Sequence, residues 1–261
     1  MSKQLTNRRL MTNEEWLELY SAAADIISAH EIDEMEERAV NEIRRTVAGK
    51  TAAYAWSGGS DSAVLSCLCQ KAGITDCMIG ICELEYPAFL DWMSRNAPER
   101  LTVINTKQDL EWLAAHQDML FPQDSAIASR WYAIVQHAAQ REYVKANDVD
   151  ILVLGRRKAD SNYCGRGSNI YTDHRGVTRY SPMAEWKHEH VLAYIQHRGL
   201  RLPPLYTWEN GFRNGTHPWA ARQHVADTAD GWRVIYGIDP GIVLAASSHI
   251  ESARAYLEGL A

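Results

Sequence analysis

No pair of cysteines in this 261-residue chain has Cys-x-x-Cys spacing, and the five present, Cys67, Cys69, Cys77, Cys82 and Cys164, are odd in number. That argues against a disulfide framework and for reduced, mostly buried thiols. Cys67 and Cys69 diverge around a predicted helix, so neither an iron–sulfur cluster nor a structural zinc site is expected. No apolar run approaches the ~18 residues of a membrane span. The start, Met1-Ser2-Lys3-Gln4, lacks an apolar signal segment, which gives the expectation of a soluble, cytoplasmic protein without a membrane partner. A basic excess is also missing. Lys plus Arg number 27 against 33 Asp plus Glu, a formal charge of −6, so there is no global nucleic-acid-binding signature, although a local patch stays open. Neither the Gly-rich loop that ends in Lys-Ser/Thr nor the dinucleotide-binding glycine pattern occurs.

What the chain does carry is Tyr54-Ala55-Trp56-Ser57-Gly58-Gly59-Ser60-Asp61-Ser62. Ala52 to Trp56 reads as a buried strand, and Ala63-Val64-Leu65 with Leu68 supplies the apolar face of a following helix. Gly58 and Gly59 permit a tight turn, and the first N–H groups of the helix have no partner within it. An anion at that point meets those donors and the positive end of the helix, and Asp61 adds a carboxylate able to orient a phosphate through a divalent cation. An ordinary strand-turn-helix with an N-capping Ser and an acidic first turn accounts for the same residues.

The pattern divides the chain into an N-terminal helical extension over 1–48, a nucleotide-binding domain over 49–206 and a C-terminal region over 207–261 packed on it. Helices are predicted from Thr12 and over Ile32–Val47. They cover the sheet, form a homodimer or partner-subunit surface, or stand as a solvated hairpin. Strands follow at Cys77–Cys82 and Leu101–Asn105 around a helix at Ala88–Ser94, then a long helix at Ala126–Lys145 and a strand at Asp150–Leu154. Glu83-Leu84-Glu85-Tyr86-Pro87 lies at a strand exit. There Glu83 or Glu85 reaches Mg²⁺ or a ribose, or both are solvent-facing acids.

Gly155-Arg156-Arg157-Lys158-Ala159-Asp160-Ser161 is the second constellation. Three adjacent cations at a strand exit suit a triphosphate or leaving pyrophosphate, and a basic surface turn is the plain alternative. Gly165–Arg179 reads as a polar loop with His174 exposed in it. Trp186, before the helix His188–Ile195, either stacks near a nucleotide or packs on the sheet edge. His217 beside Pro218 and Trp219 reads first as a packed residue, and Ile242–Leu257 as one terminal helix.

Ser57-Gly58-Gly59-Ser60-Asp61-Ser62 resembles the SGGxDS signature of the PP-loop ATP pyrophosphatases, the adenine nucleotide alpha-hydrolase-like superfamily. Within it the chain is similar to the phosphoadenosine phosphosulfate reductase and sulfate adenylyltransferase small-subunit group. Gly155-Arg156-Arg157 with Ser161 resembles that group's Gly-x-Arg-x-x-x-Ser. Pro182, Trp186, Val191, Tyr194 and Ile195 fit its Arg-x-x-Pro-x-x-x-Trp and Val-x-x-Tyr-Ile segments, and Leu202-Pro203-Pro204-Leu205-Tyr206 its pocket-closing segment, with one proline displaced. The resemblance implies a three-layer α/β/α fold with a mostly parallel sheet, a helical prefix and a helical C-terminal region. It also implies ATP and Mg²⁺ as cofactors. Ser57, Gly58, Gly59, Ser60, Asp61, Ser62, Gly155, Arg156, Ser161 and Trp186 are expected to hold the nucleotide and Asp61, Arg156, Arg157 and Lys158 to be catalytic; Asp61 is the expected metal ligand, joined by Glu83 or Glu85 if the strand-exit acids are not solvent-facing.

The departures are equally specific. Asp/Glu-Thr-Gly and Pro-Glu-Thr are missing around Glu83, Gly211–Trp219 stands where the group has Gly-Cys-x-x-Cys, and a terminal Glu-Cys-Gly-Leu-His is absent. No cysteine follows Cys164 to accept a sulfur group. The function implied is therefore cleavage of ATP at the α–β bond by a nucleotidyltransferase that adenylates an unidentified small-molecule or macromolecular acceptor. Sulfonucleotide binding, transfer or reduction with an external thiol is the second reading, and a noncatalytic nucleotide-binding subunit of a complex the third.

Overall fold

The computed structural model describes residues 11–260, so Met1-Ser2-Lys3-Gln4 lies outside the described residues. Helix α1 (Asn13–Ile26) opens on a capping box: the Thr12 hydroxyl accepts from the Glu15 N–H, and the Glu15 carboxylate accepts from the Thr12 N–H. Helix α2 (Ala29–Val47) is capped by Ser28. Then come β1 (Ala52–Ala55), α3 (Ser60–Ala72), β2 (Cys77–Ile81), α4 (Pro87–Asn96) and β3 (Leu101–Asn105). Helices α5 (Leu110–Ala115), α6 (Ser125–Tyr132) and α7 (Ala138–Ala146) precede β4 (Ile151–Val153), and a π-helical turn, Ala133–His137, joins α6 to α7. Strands β5 (Ile170–Thr172) and β6 (Thr178–Tyr180) complete the sheet. Helices α8 (His188–Arg198), α9 (Gly211–Asn214), α10 (Thr228–Ile238), α11 (Pro240–Ser247) and α12 (Glu251–Glu258) follow.

The strand order is β3-β2-β1-β4-β6-β5, parallel except for β5 against β6. Because the order reverses between β1 and β4, their carboxyl ends frame the crevice in which open α/β sheets place ligands. Alternation along the strands builds two cores. Tyr54, Ile151 and Val153 join Val64, Leu65 and Leu68 of α3, whereas Ala53, Met78 and Leu152 join Ala139 and Tyr143 of α7. This is the three-layer, mostly parallel arrangement expected. No helix among the described residues is long and apolar enough to cross a membrane.

The helical prefix is fastened to α8. Gln196 Oε1 accepts from the Ala24 N–H at 2.9 Å, the Tyr194 hydroxyl donates to Glu36 Oε2, and Arg198 pairs with Asp33 at 2.6 Å and Glu36 at 3.2 Å. The prefix thus packs against α8 and covers that side of the sheet.

Three stretches differ from the sequence reading. The polar segment 165–179 contains β5 and β6, each of three residues, too short and too polar for a period of two to show. Asp173 Oδ1 closes their turn by accepting from the Arg175 and Val177 N–H groups. The expected helix 126–145 is interrupted by the π turn, and the terminal helix divides into α11 and α12 around Ile250, which is fully buried.

Candidate functional site

The turn after β1 takes its shape from glycine and serine. Gly58 sits at φ +70°, where a Cβ would also lie 2.8 Å from Phe89 Cε2. Ser62 Oγ donates to the Gly59 carbonyl at 2.9 Å and accepts from the Ser57 N–H at 3.1 Å, so this buried hydroxyl staples the loop from inside. The N-cap of α3 is Gly59, with no capping side chain. The capping-Ser alternative is therefore not the arrangement adopted, although Ser57 Oγ, in the preceding turn, accepts from the Gly59 N–H at 3.4 Å. The next donor is also used: the Ser60 N–H donates to the Tyr206 hydroxyl at 2.8 Å.

The two constellations meet across the switch point. A Cβ on Gly155 would lie 3.3 Å from the carbonyl carbon and oxygen of Asp61, so the loop after β4 presses on the first turn of α3. Arg157 completes the contact. Its guanidinium Nε is 2.8 Å from Asp61 Oδ1, in an ion pair off the linear hydrogen-bond axis, and its Nη2 is 3.0 Å from Asp160 Oδ2. Both Nη atoms lie 3.2 Å from His188 Nδ1. Arg157 and His188 are 2% and 1% exposed, so the group is an internal pillar joining the two loops to α8.

The three adjacent cations Arg156, Arg157 and Lys158, expected to suit a triphosphate or leaving pyrophosphate, do not share one face. They separate. Arg157 is buried between Asp61 and Asp160, Lys158 pairs at the surface with Glu185, and Arg156 turns to Tyr171 and His137, at 2.7 Å from each. An extended backbone at Arg157 sends neighbouring side chains to opposite faces, and sequence adjacency does not reveal that. Ser161, at φ +61°, is exposed beyond this loop.

The proposed metal ligands do not converge. Asp61 is committed to Arg157. Glu83 accepts from Asn105 at 2.8 Å and pairs with Lys107, on the exposed side of its loop. Glu85 is buried, and desolvation pushes its carboxyl up to about 8 even though it accepts from the Cys82 N–H. Among the described residues no group of three or more His, Cys, Asp or Glu is placed to hold a metal ion. These residues do not form a resident Mg²⁺ site; an ion carried in on a nucleotide's phosphates needs only one or two carboxylates.

Burial pushes the pKa of all five thiols above the ordinary thiol value, so none is a thiolate near neutral pH. Trp186 is buried with its ring 6.0 Å from that of Tyr194, and its carbonyl faces Arg157; of its two readings, the packed one is the arrangement found. His174 is exposed and accepts from Arg175. The segment with His217 lies closer than its composition suggests, since Thr216 Oγ1 would stand 3.5 Å from a Cβ on Gly59. Sequence reasoning placed Tyr206 in a pocket-closing segment and Asp160 inside the Gly-x-Arg-x-x-x-Ser spacing without giving either a role, and it missed His188, His137 and Tyr171, whose approach is long-range.

The domain described as phosphoadenosine phosphosulfate reductase matches residues 51–214. A phosphoadenosine 5′-phosphosulfate reductase of Gloeobacter violaceus is 35% identical over 80 residues, 30% of this chain and 32% of that protein. The matched stretch thus spans about a third of that relative. A phosphoadenylyl-sulfate reductase from Candida auris, solved as a phosphate complex, has a TM-score of 0.51 at 16% identity, over 69% of this chain and 92% of its own. That likeness establishes a shared fold. An NH₃-dependent NAD synthetase from Campylobacter jejuni has a TM-score of 0.48 at 13% identity, over 86% of this chain and 96% of its own.

Proposed function

This chain belongs to the phosphoadenosine phosphosulfate reductase domain family, and from that membership we propose that it binds an adenine nucleotide over the carboxyl ends of β1 and β4 and cleaves ATP at the α–β bond to adenylate an acceptor. One observation carries the reading: Gly155 packs on Asp61 at the switch point, beside a helix whose N-cap is a glycine with no side chain to occupy its first turn. Those features put backbone donors and a positive helix end where a nucleotide's phosphates lie in open sheets of this kind.

In this scheme an acceptor oxygen attacks the α-phosphorus, the bond to the bridging oxygen of the β-phosphate breaks, and pyrophosphate leaves with the electron pair. The N–H groups opening α3 stabilise charge on the phosphates, while Ser62 holds the turn in shape and Arg157 holds Asp61 against the second loop. Preorganisation is the chain's contribution, with no side-chain nucleophile required. The decisive experiment is product analysis with α-labelled ATP, supplied as its magnesium salt, and fractionated cellular acceptors. An adenylyl adduct with pyrophosphate is expected, whereas ADP and phosphate alone overturn the mechanism.

Family membership itself favours a second reading, sulfonucleotide handling. Since every thiol is held protonated by burial, the sulfur acceptor would be an external thiol, and sulfite appearing only with a reduced dithiol supports this alternative. Tight nucleotide binding without turnover would identify a noncatalytic subunit.

A further inference from the structure

Arg156 belongs to a cluster on the sheet face opposite Arg157. The π turn sets its floor: Gly80 of β2 has no room for a Cβ, which would meet Val135 O at 2.8 Å, and Gln136 Nε2 donates to the Gly80 carbonyl. His137 ends that turn, the kind of helical irregularity that recurs at functional sites. Burial, then the charges of Arg156, Arg179 and Arg141, holds its imidazole down to about 4, so at neutral pH Nε2 accepts from Arg156. Tyr171 of β5 accepts from the other arm of the same guanidinium, and Tyr132 lies under it at 5.9 Å.

Charge in this cluster is unbalanced. Arg175 and Arg179 act on Arg141, and Arg156, Arg179 and Arg141 act on His137, with Asp173 the carboxylate that opposes them in both cases. Asp173 is held down to about 2: burial opposes this, but the Arg179 guanidinium and two backbone N–H groups outweigh it. Arg179 is 3% exposed, yet its Nε–H has no hydrogen-bond partner among the described residues. In a chain of net charge −6, repeated placement of arginines against one another calls for an anion. Tyr163, 57% exposed, stands 4.8 Å from the Tyr171 ring and offers an aromatic surface beside them.

We propose that the face bounded by the π turn, Arg156 and the β5–β6 hairpin is a second oxyanion site that takes phosphate-ester groups, borne by a free nucleotide or by a single-stranded nucleic acid. The charge excess suits a dianion or a run of phosphates better than one carboxylate, and the exposed tyrosine suits a base. Naming its occupant as the acceptor rests on the adenylation reading; the binding does not.

The test is fluorescence anisotropy at low salt with two probes, a labelled single-stranded oligonucleotide of about 12 nucleotides and a fluorescent adenosine monophosphate. Arg156→Gln/Arg175→Gln is expected to weaken binding of at least one probe on the order of tenfold, and Arg175→Gln alone to reduce the salt dependence of oligonucleotide binding by roughly one phosphate contact. Arg175 is exposed on the hairpin, so its variant remains informative should the double variant fold poorly. Arginine-dependent binding of the mononucleotide identifies a free ester as the source, and of the oligonucleotide alone a nucleic acid. Equal binding by wild type and variants, or binding of neither probe, overturns the site. Arginine-dependent probe binding by a wild-type protein that releases no pyrophosphate from ATP would instead sink only the adenylation reading.

Discussion

Asp61 and Arg157, 96 positions apart, are in contact at 2.8 Å, and through them the turn after β1 and the loop after β4 become one unit. With Arg157 almost wholly buried, its removal leaves the Asp61 and Asp160 carboxylates without their cation in a poorly solvated place. Arg157→Gln is expected to lower unfolding free energy by about 3 kcal/mol, seen as a reduced urea midpoint at unchanged slope. Arg157→Lys restores charge without the planar fork and should recover only a fraction; full recovery would contradict the geometry.

Gly58 and Gly59 are adjacent and chemically identical, yet the structure separates them. Gly58→Ala meets both the left-handed penalty of about 1–2 kcal/mol and the Phe89 ring. Gly59, at φ −75°, would bring a Cβ no nearer than 3.2 Å to the Tyr206 hydroxyl and 3.3 Å to that of Ser57, side-chain oxygens and not a ring. Thermal unfolding should therefore show a larger loss for Gly58→Ala than for Gly59→Ala, and the reverse order would refute the assigned turn.

Tyr206 holds the Ser60 N–H, a donor an incoming phosphate would also use. Tyr206→Phe removes a hydrogen bond worth about 1 kcal/mol to stability while releasing that donor. A slightly lower melting temperature with tighter nucleotide binding is expected by calorimetry. Weaker binding would mean that the hydroxyl supports the ligand and does not compete with it.

Glu85 has a definite signature in pH. Its folded value of about 8 lies above the ordinary 4.5, so the folded state binds the extra proton. Its contribution is fully present below about 4.5 and is lost as pH rises through about 8. Glu85→Gln should flatten the decline in stability across that window, as read from urea midpoints at several pH values. An unchanged decline would place its source elsewhere.

The strands β1 to β4 and the turn Ser57–Ser62 were legible because their signals are local: short apolar runs bounded by Gly, Ser and Asp, and helical periods between them. Thr12 with Glu15 announced the start of α1 in the same way. The hairpin at Ile170–Tyr180 was not legible, since three-residue strands carry no period and their pairing is decided by a neighbour distant in sequence, β4. The π turn escaped for a related reason, being set by the close approach of Gly80.

By itself the sequence determined the fold class, the family and the position of the turn that opens α3, because each depends on a few consecutive residues whose backbone preferences agree. Tertiary structure alone decided what the charged residues do. Arg156, Arg157 and Lys158 look equivalent in a row, but the sheet separates the first two, buries Arg157 among Asp61, Asp160 and His188, and leaves Lys158 to the surface. The physical reason is that charge acts through space and solvent exposure, and both are set by which segments the fold brings together.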